Sequence, residues 1–145
     1  MSGGDGGWVG VDLDGVLAHW DEAVFPDIGR PIAPMVARVQ EWLADGIDVR
    51  IFTARVAVVP ALRNDEDVIT ADLEFAADQQ LRVQRWCQEH LGQVLPVTAV
   101  KDFRMVRLYD DRCVQMITNK GVALADELRD SLDFILAVLN GCHSD

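Results

Sequence analysis

Lysine is nearly missing from this chain: only Lys101 and Lys120 occur among 13 basic residues, and the rest are arginine. Bases of both kinds are outnumbered by 24 acids, for a net charge of −11 at pH 7. A field of that sign repels phosphate backbones and anionic lipid, which argues against tight nucleic-acid binding. Cysteine is scarce too. Cys87, Cys113 and Cys142 form neither a CxxC pair nor a Cys/His ligand spacing. An odd count with no secretory pattern in the glycine-rich start predicts a reduced, cytoplasmic protein. No apolar run approaches the roughly 18 residues of a membrane span. Repeats and linkers are lacking as well. What remains is ordinary for a globular domain: 145 residues, 50% hydrophobic and 26% charged. A chain of that size buries on the order of 70% of its unfolded surface without a disulfide or structural metal.

Short apolar runs punctuate the chain. Residues 8–11, 47–52, 94–100 and 105–109 read as strands, and 113–117 (CVQMI) offers a fifth. Runs this short and continuous suit strands covered on both faces. Between them lie helical stripes. Met35, Val39, Trp42 and Leu43 mark a helix over 34–45. Leu73, Ala77 and Leu81 mark one over about 70–91, and Leu128, Leu132, Ile135, Leu136 and Leu139 one over about 122–139. Strands alternating with helices of this length predict βαβ units and an α/β fold. The expected architecture is a single Rossmann-like three-layer domain with a mainly parallel sheet. Residues 1–7 read as a tail, 8–140 as the working domain and 141–145 as a second tail.

In such a sheet, ligands bind outside the carboxyl ends of the strands. Asp12, Thr53 and Asp110 each follow a predicted strand directly, so three separate segments converge on one edge. In VDLDGVLA, Asp12 and Asp14 stand two apart, with Gly15 free to take the turn that exposes them. Paired acids in different environments can divide labour between nucleophile and acid/base. Taken alone, the motif is also an ordinary Asp/Gly turn. Thr53 is a possible phosphoryl hydrogen-bond donor, and equally a helix cap. Arg55 could reach an anion, although an exposed arginine at such a place is common. Asp110 and Asp111 suit Mg²⁺, which takes carboxylates and water. Strand alternation places them on opposite sides, with Asp110 favoured for the metal.

Together, DxDGVL, a strand-end Thr, a Lys and an acidic pair, in that order, resemble the haloacid dehalogenase-like superfamily over residues 9–117. Its members are mostly Mg²⁺-dependent phosphatases. The resemblance implies that Asp12 is the nucleophile and forms an aspartyl-phosphate. It implies that Asp14 protonates the leaving group and then activates water. Thr53 and Lys101 would hold the phosphoryl oxygens. Asp110 and Asp111 would bind Mg²⁺ with the Asp12 carboxylate and the Asp14 backbone carbonyl. Tyr109 stands where many members carry Gly, and the acids are adjacent where many are spaced.

Neither interval between these motifs has room for a folded cap domain, although 18–30 can form a flap and 56–69 a mobile loop. Capless members suit phosphates on macromolecules, or small phosphorylated substrates when an oligomer closes the site. His19, Trp20 and Asp21 lie on the flap, where they are candidates to touch substrate. A response-regulator receiver uses similar residues in the opposite order, so order rejects it. A non-catalytic binding or regulatory domain and a phosphotransferase on the same fold are the remaining alternatives.

Overall fold

Strands form where β-branched and aromatic residues cluster between turn-formers. Strand β1 (Trp8–Val11) reads WVGV, and all four residues are buried. The others are β2 (Val49–Phe52), β3 (Val97–Thr98) and β4 (Met105–Tyr109). The structure is a computed structural model that describes residues 6–59 and 65–141. The four strands make one all-parallel sheet in the order β3-β2-β1-β4. Val9 faces Val49 and Val11 faces Ile51 on one side of β1; Gly10 faces Leu108 and Val11 faces Tyr109 on the other. The chain is therefore α/β with a parallel sheet.

Helix α1 (Ala33–Ala44) opens with Pro34 in its first turn, where a missing N–H costs nothing. Helix α2 (Glu66–Leu91) starts earlier than the apolar stripe predicts. The reason is Asp65, whose carboxylate accepts from the Asp67 and Val68 N–H groups, with Glu66 and Asp67 completing an acidic first turn. Gly92 ends α2 in the left-handed region, at φ 84°. Val39 of α1 and Val83, Trp86, Cys87 and Leu91 of α2 share one core with Val9, Val11, Leu13 and Ile51. Each such fully buried aliphatic side chain contributes about 2 kcal/mol through removal from water.

The chain divides into two units, Met1–Asp111 and Arg112–Asp145. The sheet, α1 and α2 belong to the first. In the second, the expected strand at 113–117 is absent. Met116 makes only an isolated antiparallel bridge to Ala123, closed by Ile117 and Leu124 N–H bonds to the Val122 and Gln115 carbonyls. The run is apolar, but it folds back through Asn119 and Gly121, both at positive φ, into helix α3 (Leu124–Gly141). That helix continues through Gly141, taking in the Asn140-Gly141 pair expected to stop it and ending two residues beyond 139. The predicted strand over 94–100 shrinks to Val97–Thr98, just after Pro96, which lacks a ladder donor. Of the predicted tails, residues 1–5 and 142–145 lie outside the described residues, as do 60–64 of the predicted 56–69 loop. The described part of that loop begins at Val56, the last residue of a 3₁₀ turn (Ala54–Val56), and takes in the first residues of α2.

Candidate metal centre

Asp12, Thr53 and Asp110 directly follow β1, β2 and β4. Because β1 lies between β2 and β4, Asp12 is central on that edge. The chain leaves β1 for β2 on one side while β4 lies on the other, which makes this the switch point of the sheet. The Asp12 N–H donates to the Tyr109 carbonyl at 2.9 Å, holding the ends of β1 and β4 together.

Asp12, Asp110 and Asp111 each bring a carboxylate oxygen within 4.8 Å of the others. Crowding has an electrostatic consequence. Burial first, and then the Asp110 charge, push the Asp12 pKa up to about 7. Asp111 adds to this by its charge and by a hydrogen bond, against the opposing effect of the Leu13 N–H, which donates to Asp12 Oδ1 at 2.9 Å. Both adjacent acids join the cluster, contrary to the alternation argument. Strand β4 ends at Tyr109 and the chain turns at Asp111, so alternation no longer governs where 110 and 111 point.

Gly15 is required here. Its φ is +88°, and a Cβ would stand 2.5 Å from Asp111 Oδ2. Any side chain would push Asp111 out of place while straining the turn. Tyr109 is half-buried against the core and packs on Trp42, with ring centroids 4.9 Å apart. Its ring and that of Trp42 also face the Arg38 guanidinium.

Asp14 stands outside the acidic trio. Its two oxygens accept from Arg55 Nε at 2.6 Å and Nη2 at 2.8 Å, a bidentate fork. Arg55 is the residue whose place sequence reasoning missed: its anion is Asp14. It is buried, 6% exposed, rather than an exposed surface arginine. Its Nη1 donates to the Pro26 carbonyl and to Gln79 Oε1, both at 2.7 Å, and its Nη2 also to the Asp27 carbonyl at 3.1 Å. All five guanidinium N–H donors are thereby used. The one signal available in the sequence was position: Arg55 stands two residues past a strand-end Thr, where a 3₁₀ turn points it inward.

Thr53 is buried, and its Oγ1 accepts from the Arg55 N–H at 3.2 Å. It therefore caps the 3₁₀ turn, a role that leaves its O–H hydrogen for another acceptor. Lys101 is exposed on the segment leaving β3. Its neighbour Asp102 accepts from the Trp8 indole N–H at 2.8 Å, at the opposite end of β1 from the trio. His19 and Asp21 are exposed. Trp20 is half-exposed and begins a ladder of rings with Phe25 at 5.7 Å, and Phe25 with Phe75 at 6.2 Å.

Among the described residues no helix is long and apolar enough to cross a membrane. The chain matches no family model, no curated protein and no solved structure.

Proposed function

We propose that the protein is a Mg²⁺-dependent phosphomonoester hydrolase of the haloacid dehalogenase-like type, a three-layer Rossmann-like domain without a folded cap. The observation that carries this reading is the trio of Asp12, Asp110 and Asp111 at the carboxyl ends of two adjacent parallel strands. The donor set fits the ion. All three ligands are hard carboxylate oxygens, which suit Mg²⁺ and leave positions for water and substrate oxygen. Burial first, and the neighbouring acids with it, raise Asp12 to about 7, and a bound cation would offset that crowding. When bound, Mg²⁺ would neutralise charge on the phosphoryl group and let an anionic substrate approach an acidic site.

The chain's own residues supply the rest. The Asp12 carboxylate attacks phosphorus in line, and the bond to the leaving oxygen breaks. Asp14, once released from the Arg55 fork and protonated, gives that oxygen a proton. A water then attacks the aspartyl-phosphate, Asp14 takes a proton from it, and phosphate and the free Asp12 carboxylate result. Thr53 and Lys101 donate to phosphoryl oxygens. The substrate is a small phosphomonoester or an accessible phosphate on a larger molecule. The free thiols of Cys87 and Cys113 fit a reducing, cytoplasmic setting. Hydrolysis of nitrophenyl phosphate with Mg²⁺, stopped by a chelator and restored by Mg²⁺, is the expected result. Steady turnover unchanged by exhaustive chelation overturns the reading.

A further inference from the structure

We propose that Arg55 is a positioning residue that couples the loop over residues 19–30 to the orientation of the Asp14 carboxylate. The loop is a closed excursion. The His19 N–H donates to the Arg30 carbonyl at 2.8 Å across its base. Within it, the Val24 and Phe25 N–H groups both donate to the Asp21 carbonyl, and the Asp27 N–H to that of Val24. It is docked on α2: Trp86 Nε1 donates to the Gly29 carbonyl at 3.0 Å, and Arg82 bridges Asp27 and Asp78. Arg55 also reaches the loop, through the Pro26 and Asp27 carbonyls, and its guanidinium lies 5.1 Å from the centre of the Phe25 ring.

A buried guanidinium needs a counter-charge, and Asp14 supplies it. The same planar group holds Asp14 with two donors and the loop and Gln79 with three. Because the fork is rigid, it cannot rotate to follow one partner without letting go of another. The coupling runs in both directions. Lifting the loop takes two carbonyl acceptors from Arg55, admits water and loosens the fork on Asp14. Removing the Asp14 charge leaves an uncompensated buried cation, which must move and so release the loop. For catalysis the direction from loop to Asp14 matters. With both oxygens accepting from Arg55, Asp14 has none left for a leaving group. A substrate that displaces the loop would free Asp14 where the proton is needed.

Hydrogen exchange measures the coupling without reference to activity. Wild type, Arg55→Lys and Asp14→Asn are compared by mass spectrometry at pH 7. Arg55→Lys keeps the charge but loses the fork, and Asp14→Asn keeps the shape but loses the charge. Both variants should speed exchange of the Val24, Phe25 and Asp27 amides by about tenfold or more, with β1 and α1 unchanged, as expected for local opening. If Arg55→Lys fails to fold, Asp14→Asn decides alone. Loop exchange equal to wild type in Asp14→Asn overturns the coupling.

The kinetic arm rests on the phosphatase reading. In single turnover, Arg55→Lys, which releases Asp14 without loop movement, should raise the rate of phosphorylation from an alkyl phosphate relative to that from nitrophenyl phosphate, whose leaving group needs little acid help. An equal loss for both substrates means that Arg55 only supports the fold, and overturns its positioning role. Should wild type turn over neither substrate with Mg²⁺, the phosphatase reading fails while the exchange result still decides the coupling.

Discussion

The two ends of β1 treat their aspartates in opposite ways. At the amino end, Asp102 accepts from the Trp8 indole and from the Arg104 N–H, near Arg50. The indole bond first, and these other donors with it, hold its carboxyl below the usual range. At the carboxyl end, Asp12 is half-buried beside two further acids and pushed up to about 7. An acid surrounded by donors is already stabilised by the chain and works as structure. An acid crowded by other acids is held in place at a cost that a proton or a bound cation offsets. The contrast separates two classes of aspartate that look alike in the sequence.

The largest test removes the charge at the crowded end. Asp12→Asn should abolish turnover, because an amide cannot attack phosphorus, while the metal-free variant melts no lower than wild type at pH 7. Retention of more than a few per cent of activity in a clean preparation defeats the nucleophile assignment. Next in size is Lys101→Ala. If Lys101 stabilises the phosphoryl charge, its loss costs about 3 kcal/mol of the barrier, on the order of a hundredfold in rate. Lys120→Ala is the control, and equal small effects would assign Lys101 to the Asp102 side of the sheet alone.

The two ends should also answer pH with opposite signs. Asp12 binds its proton more tightly folded than unfolded, so metal-free stability should fall as pH rises from about 4 to about 7 and then level off. Saturating Mg²⁺ should flatten that slope, and its affinity should rise with pH over the same window, since proton and metal compete for one carboxylate. Asp102 is the reverse case. Its contribution is present above 3.8 and is lost as pH falls below that value. The smallest effect follows: Asp102→Asn should lower the midpoint of urea unfolding slightly at pH 7 and remove part of the loss seen in acid. An unfolding curve with one sign of pH slope throughout would remove the contrast.

Much of this was legible because strand ends are legible. Val11, Phe52 and Tyr109 close apolar runs, and the next residue in each case is polar. Alternating strands and helices then bring Asp12, Thr53 and Asp110 to one edge. Local signals failed where long-range partners decide. Residues 113–117 are as apolar as a strand, yet Met116 pairs only with Ala123 across a turn. Arg55 looked like any exposed arginine because its partners Asp14, Pro26, Asp27 and Gln79 are distant in sequence. Asp110 and Asp111 share one cluster because the pleat ends at Tyr109, an end that periodicity alone cannot time.

The pairing of β1 with β4 has a consequence for folding kinetics. β1 begins at Trp8 and β4 at Met105, so nearly the whole first unit lies between the two strands that carry the acidic trio. Contacts this distant in sequence pay their loop-closure entropy late, after local helices and the β1–β2 pair can form. Asp12 and its two neighbours therefore meet near the end of the folding reaction. A cation bound by all three stabilises the native state more than the transition state before it. Mg²⁺ should then leave the folding limb of a chevron nearly unchanged and slow the unfolding limb, making the ion a brake on opening rather than a nucleus for assembly.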